Sequence, residues 1–232
     1  SIYLYFGEDE YSMMQAVNAL RQSLLDPIWA SFNYDKILPG TDALQAGLNQ
    51  AMTPPFGSGS RFVWLVDTNI TQHCSQNLLE DLEWTLPQIP ETTALLFTTT
   101  NKPDQRLKST KLIQKWAEVR NFSLIPPWKT ELLEQQVKEM AQEVGVKITP
   151  PGISFLAEAL GNNRRKLHSE LTKLQLYASQ DTVLELEVIT TLVGSQTQSS
   201  LKLATAIRSG DTVKALELVA DLIAHNEHPL RI

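Results

Sequence analysis

The sequence has a single cysteine, Cys74, so no disulfide can form within the chain and a reducing cytoplasm is the natural compartment. No apolar stretch approaches the roughly 18 residues that a membrane-spanning helix needs, so no membrane association is expected. Nor does a basic, apolar, small-residue signal open the sequence. The triplets at Asn69 and Asn121 that match a glycosylation site therefore read as chance. Positive charge is not in excess: 20 Lys and Arg against 26 Asp and Glu give a net charge of −6. That argues against a stand-alone nucleic-acid binder, which needs a positive face for phosphates, but leaves room for local basic patches. Catalytic signatures are sparse. His73-Cys74 is one adjacent pair with no second cluster, and no Ser sits in a strand-turn-helix elbow. His225 and His228 stand near a helix end, where favourable charge explains them as well as a metal would. No catalytic residue, metal or cofactor is expected. What is present is ordinary for a globular protein: 232 residues, 42% hydrophobic and 20% charged.

The chain opens on Ile2-Tyr3-Leu4-Tyr5-Phe6, then Gly7, then a helical pattern through Met13, Met14, Val17 and Leu20. It starts almost directly on this strand, so an initiator Met and a few residues are expected to be missing. Strand, Gly turn and helix is the entry to a nucleotide-binding α/β domain. A phosphate-cradling loop would place several glycines and a Gly-Lys-Ser/Thr ending there. This turn has one Gly followed by Glu8, Asp9 and Glu10, whose carboxylates would repel a triphosphate or serve as helix-dipole partners.

Residues 1–128 alternate strand and helix, which predicts a mostly parallel sheet with helices on both faces. A short strand is expected over Phe32–Leu38, and a helix capped by Asp42 runs to Met52, before Pro54-Pro55. Gly57-Ser58-Gly59-Ser60 reads as a flexible turn. Phe62–Val66 and Ala94–Thr98 read as strands covered on both faces. A helix around Leu78, Leu79 and Leu82 ends near Pro87. Leu107–Arg120 reads as one helix with Leu112, Ile113, Trp116 and Ala117 on its apolar face, followed by a strand over Phe122–Ile125. After Pro126-Pro127-Trp128 only helices are expected: one capped by Thr130 and ended by Gly145, one opened by Thr149-Pro150-Pro151 and ended by Gly161. A third carries Leu167, Leu171, Leu174 and Ala178, and a shorter one spans Leu186–Val193. Residues 129–197 form this small helical domain. Gly194–Ser200 is a second linker. Residues 198–232 begin a further helical segment, split at Gly210-Asp211, which reads as the start of a truncated domain or one that packs on another subunit.

An α/β domain, a small helical domain and a further helical segment is the order of AAA+ proteins. Nucleotide chemistry would then sit at four places. The Gly7 turn lacks the Lys and the glycine-rich loop. Asp67 closes a buried strand where a magnesium ligand would stand, but Thr68-Asn69 follow in place of a Glu. Thr98-Thr99-Thr100-Asn101 resembles a sensor segment, or is a polar strand end. Gly161-Asn162-Asn163-Arg164 resembles a second sensor, or is a solvated basic helix start with Arg165 and Lys166. The framework is echoed while the catalytic Lys and Glu are missing.

Met52-Thr53-Pro54-Pro55-Phe56-Gly57 is the sharper feature. Pro-Phe is a rigid apolar tip on a helix-ending turn. It is either a buried staple or a projection for a hydrophobic pocket on a partner. Separately, Lys102, Arg106, Lys108, Lys111 and Lys115 put five positive charges on one expected helical segment, a solvated face or one facing DNA.

The opening Tyr3-Leu4-Tyr5-Phe6-Gly7-Glu8-Asp9-Glu10-Tyr11 resembles the start of the delta subunit of bacterial DNA polymerase III, the clamp-opening subunit of the clamp loader. Arg61–Val66, Lys102–Arg106, Leu160–Asn163 with Glu170–Leu174, and Ala206–Asp211 with Ala215-Leu216 resemble further landmarks of that family in the same order. The resemblance implies an α/β, AAA+-like three-layer domain (1–128) without a functional phosphate loop, a helical lid (129–197) and the start of a helical collar (198–232). It implies an accessory subunit of a nucleotidyltransferase holoenzyme without catalysis of its own. Its apolar tip, by position Pro55 and Phe56 with Met52 beside them, would wedge into the sliding clamp. The family more usually has Leu-Phe there, so Pro55 is a departure. The implied partners are the sliding clamp (the beta subunit), the delta prime and gamma or tau subunits, and primer-template DNA in the assembled loader. A divergent nucleotide-binding ATPase is the competing reading, and a DNA-binding adaptor a third.

Overall fold

Along Ile2–Phe6 (β1), successive side chains point to opposite faces of a sheet, and both faces are covered. Leu4 enters one core layer with Val63, Leu65, Leu95 and Phe97. Tyr5 enters the other with Phe62, Trp64, Ala94 and Leu96. This is why the strands read as unbroken apolar runs rather than alternating ones. The computed structural model describes residues 1–178 and 182–193, and beyond them only 206–207, 212–213, 216–217 and 219–220. The expected linker at 194–200 and most of the expected collar segment, with His225 and His228, lie outside the described residues.

The chain forms two compact units, Ser1–Leu124 and Ile125–Ile232. In the first unit β1 is followed by α1 (Glu10–Leu24), α2 (Ala30–Asn33), β2 (Tyr34–Ile37), α3 (Ala43–Ala51), β3 (Arg61–Leu65), α4 (Gln76–Thr85), β4 (Thr93–Thr99), α5 (Lys108–Trp116) and β5 (Ala117–Asn121). All five strands run parallel, in the order β2-β3-β4-β1-β5. Met13 and Val17 bring α1 onto one face. Leu44, Leu48 and Ala51 of α3, Leu82 of α4 and Ile113 of α5 cover the other. The fold is therefore the expected three-layer α/β arrangement. β1 lies between β4 and β5, and the chain leaves it in one direction and returns past it in the other. That is the topology at which α/β proteins open a crevice beyond the strand ends.

Three sequence expectations fail here. The helix read over Leu107–Arg120 stops at Trp116, and Ala117 turns extended (φ −98°, ψ 144°) to begin β5 without a loop. Ala117, Glu118, Val119 and Arg120 alternate apolar and polar, but the run is short, follows a helical pattern without a break and is exposed from Glu118 onward, so it reads as that helix continuing. Pairing with the free edge of β1, Ile2 to Ala117 through Phe6 to Asn121, decides the matter. Trp116 is accordingly exposed rather than part of an apolar helix face. The strand expected over Phe122–Ile125 is thus β5, displaced upstream. Phe122 follows it, and its N–H still reaches the Phe6 carbonyl at 2.7 Å. Likewise Phe32 and Asn33 belong to the short helix α2, and the strand begins only at Tyr34.

The second unit holds α6 (Thr130–Val144), β6 (Lys147–Ile148), α7 (Pro150–Leu160), α8 (Arg164–Tyr177), β7 (Val183–Leu184) and α9 (Leu186–Leu192). Gly145 ends α6 at φ +84°, the left-handed cap that glycine adopts without strain. Leu133, Val137, Met140, Leu156, Leu160, Leu167, Leu171 and Leu174 are buried in its core. Helices alone were expected, but β6 and β7 also pair in parallel over two residues each. Thr149 does not cap α7 with its side chain. Its hydroxyl donates to the Leu184 carbonyl and its N–H to the same oxygen, which extends that pairing. Nor do Thr130 and Asp42 cap by side chain: Lys129 is the cap of α6, and Asp42 serves α3 through its backbone carbonyl alone.

Candidate functional site

The Gly7 turn uses its N–H groups on the protein itself. Gly7 N–H donates to the Thr99 carbonyl at 3.1 Å, Asp9 N–H to the Phe122 carbonyl at 2.8 Å, and Glu10 N–H to the Glu8 carbonyl at 2.9 Å. In a phosphate loop such donors point at the ligand. Gly7 has φ +134°, and a Cβ there would stand 2.2 Å from the Phe122 oxygen, so only glycine lets β5's exit close over the turn. The Asp9 carboxylate is buried and caps α1 by accepting from Ser12 N–H at 3.0 Å.

The other nucleotide positions are likewise tied into the fold. Asp67 has φ +43°, and its carboxylate accepts from the N–H and hydroxyl of Thr100 at 3.4 and 3.5 Å. The Thr98 hydroxyl accepts the Trp64 indole N–H at 2.9 Å and donates to the Leu65 carbonyl at 3.4 Å. Beyond these strand ends lies a cavity of about 170 Å³ lined by Met13, Met14, Val17, Trp64, Val66 and the Asp67 and Thr98–Thr100 segments. Ligand pockets are commonly about 300–1,000 Å³, so this one is small for a nucleotide. In the second unit Asn162 donates to the Ile125 carbonyl at 2.9 Å, and Asn163 caps α8 by accepting from Lys166 N–H at 3.0 Å. Arg164 is the first residue of α8 and half-buried. Among the described residues no group of three or more His, Cys, Asp or Glu could hold a metal, and no helix is long and apolar enough to cross a membrane.

The tip has features of both sequence readings, a backbone fastened to the protein and an exposed Phe56 ring. Met52 is half-buried at the end of α3, its N–H on the Leu48 and Asn49 carbonyls. Pro55 is half-buried and Phe56 is 58% exposed. The Phe56 backbone is clasped by Asn33, which is 1% exposed: Phe56 N–H donates to Asn33 Oδ1 at 2.6 Å, and Asn33 Nδ2 donates to the Phe56 carbonyl at 2.9 Å. The Phe56 ring packs on Trp29 and Phe32, with centroids 5.2 and 5.6 Å away. The supposedly flexible glycines are specific bends. Gly57 has φ +69°, and a Cβ there would meet the Trp29 ring at 2.4 Å. Ser58 donates to the Asp26 carboxylate at 2.6 Å, which with the Ile28 N–H holds that carboxyl below the usual range. At the base, buried Arg61 pairs with Asp35 and reaches Gln50 in the last turn of α3. Trp29 has no role legible in the sequence, and Phe32 and Asn33 read there only as the start of a strand, because nothing local links them to a residue more than twenty positions away. The only local cue was the unexplained apolar pair Trp29 and Phe32 after Pro27.

The five basic residues are all exposed, but they do not share a helix. Lys102 and Arg106 lie in the loop before α5, because the helix begins only at Lys108. Lys108, Lys111 and Lys115 follow at helical spacing, with Lys115 over the Trp116 ring at 5.5 Å. Arg106 is bound by Asp104, Nη2 to Oδ2 at 2.7 Å and Nε to Oδ1 at 3.0 Å. Those bonds hold the Asp104 carboxyl down at about 2.

Comparison with known proteins gives a consistent answer. A curated DNA polymerase III subunit delta of Bacillus subtilis is 21% identical over 238 aligned residues, which take in 100% of this chain and 68% of that protein. The solved structure of a Bacillus subtilis DNA clamp loader delta protein superposes with a TM-score of 0.73 at 20% identity, over 100% of this chain and 69% of that one, which shows a shared fold. The family described as DNA polymerase III, delta subunit, matches residues 3–123, more than half of the chain and nearly all of the first unit. The chain therefore belongs to the DNA polymerase III delta subunit family.

Proposed function

We propose that the protein is the non-catalytic clamp-loader subunit that binds and opens the sliding clamp during DNA replication, with Phe56 as its apolar wedge and Pro55 and Met52 beside it. The observation that carries this reading is Phe56 itself: a large ring, more than half exposed, on a backbone fixed by a buried amide. Exposed aromatic rings on rigid supports are the residues that dominate interface energies. Pro54 and Pro55 have no N–H to offer a partner, so recognition rests on apolar surface. Its partners are the ring-shaped clamp (the beta subunit), the delta prime and gamma or tau subunits, and primer-template DNA within the assembled loader, in the cytoplasm. Lys108, Lys111 and Lys115 are the better candidates for DNA contact, with Lys102; Arg106 is already neutralised by Asp104. The domains act as an AAA+-like body (1–128), a lid (129–197) and a collar (from 198).

The engagement of the Gly7, Asp9 and Glu10 N–H groups weighs against the competing ATPase reading. Clamp pull-down with the wild type and with Phe56→Ala, alone and with Pro55→Ala, tests the proposal. Loss of clamp binding in the variants is expected. Equal binding by all three refutes the tip assignment, and calorimetric heat from magnesium-ATP would revive the ATPase.

A further inference from the structure

The connection from α1 to β2 and the chain after α3 are distant in sequence but make one surface. Four contacts fasten them together: Ser58 to Asp26, Ser60 N–H to the Leu24 carbonyl at 3.3 Å, the Trp29 ring against Gly57, and the two-way clasp between Asn33 and Phe56. Phe32 stands on this surface, 62% exposed, with its ring centroid 5.6 Å from that of Phe56. Ile28, 76% exposed, belongs to the same short connection. The two rings pack on each other and on Trp29, yet each leaves more than half of its surface exposed, and adjacent exposed apolar groups mark interaction surfaces.

We propose that the clamp-contacting surface is composite: Phe32 enters the contact together with Phe56, and Asn33 and Trp29 hold the two rings as one preformed unit. This rests on the reading of Phe56 as the clamp wedge. The occupant is the same apolar pocket of the ring-shaped clamp, and continuity selects it. Rings whose centroids are 5.6 Å apart are in van der Waals contact. Any pocket wall that encloses the exposed part of Phe56 therefore passes within a ring's width of Phe32. Asn33 is a positioning residue. It satisfies both backbone groups of Phe56, so the tip binds without ordering that part of the backbone on contact.

The test measures affinity of the whole chain for purified sliding clamp by surface plasmon resonance, with far-UV circular dichroism as the folding control. Phe56→Ala and Phe32→Ala are each expected to weaken binding roughly tenfold or more. The double variant should lose less than the product of the two, because each ring supports the other. Asn33→Asp keeps an acceptor for the Phe56 N–H but no donor for its carbonyl. It should weaken binding in the wild type and have little effect in the Phe56→Ala background, a dependence that a purely structural role would not show. If Phe32→Ala binds like the wild type while Phe56→Ala does not, the composite surface is refuted and the single-ring wedge stands. If neither weakens binding, the wedge reading itself has failed. If Phe32→Ala spares the clamp but disrupts assembly with other loader subunits, the ring serves a different partner and the proposal is also refuted.

Discussion

Replacing Gly7 by alanine would show what the first turn of this protein is for. The new Cβ would lie 2.2 Å from the Phe122 oxygen, 2.5 Å from its carbonyl carbon and 2.9 Å from its nitrogen, at φ +134°. Those are backbone atoms, which cannot rotate away as a side-chain end can. Phe122 must move, and it is held on both sides, its N–H by Phe6 at 2.7 Å and its carbonyl by Asp9 N–H at 2.8 Å. A residue forced into a conformation reserved for glycine costs about 1–3 kcal/mol. Two lost backbone hydrogen bonds add about 1 kcal/mol each. The expected loss is therefore about 3–5 kcal/mol, a large share of the roughly 5–15 kcal/mol that holds a domain folded. Urea denaturation followed by far-UV circular dichroism measures it, and hydrogen exchange at the Asp9 and Phe122 amides locates it. A loss below about 1 kcal/mol with both amides still protected would refute the reasoning. The turn would then have room to spare, as a ligand loop does.

Three further outcomes are expected. Thr98→Val leaves the Trp64 indole N–H without its acceptor and should cost about 1–3 kcal/mol in denaturation. The Asp104 carboxyl, held down first by hydrogen bonds from the Arg106 side chain and then by its N–H, should titrate at about 2 by NMR. Its folded value is depressed, so the stabilisation is present above the ordinary carboxylate value of about 4 and is lost as pH falls toward 2. Arg106→Gln should return the titration toward the ordinary value. Changing Lys108, Lys111 and Lys115 together to Gln should flatten the dependence of log DNA affinity of the assembled loader on log salt by about 3; an unchanged slope makes these lysines a solvated face.

Periodicity and turn chemistry alone determined the main frame. Phe62–Val66 and Ala94–Thr98 read as doubly covered strands, found over Arg61–Leu65 and Thr93–Thr99, and Gly145 and Gly161 as helix ends, because these signals are local and backbone-driven. The missing Lys and glycines at the first turn were equally plain. Tertiary structure decided what local signals cannot carry. Whether residues 117–121 continue a helix or become a strand depended on the free edge of β1, since a four-residue alternation directly after a helical pattern does not mark where the helix stops. Whether the five basic residues share one helix depended on where α5 begins, and that Arg106 is paired depended on where Asp104 stands. The tip shows the division most clearly. The sequence singled out Pro55 and Phe56 because proline and an apolar ring at a helix end are unusual. It could not show that Trp29, Phe32 and Asn33 support Phe56, because a clasp between a buried amide and a distant backbone exists only once the sheet has brought the two segments together.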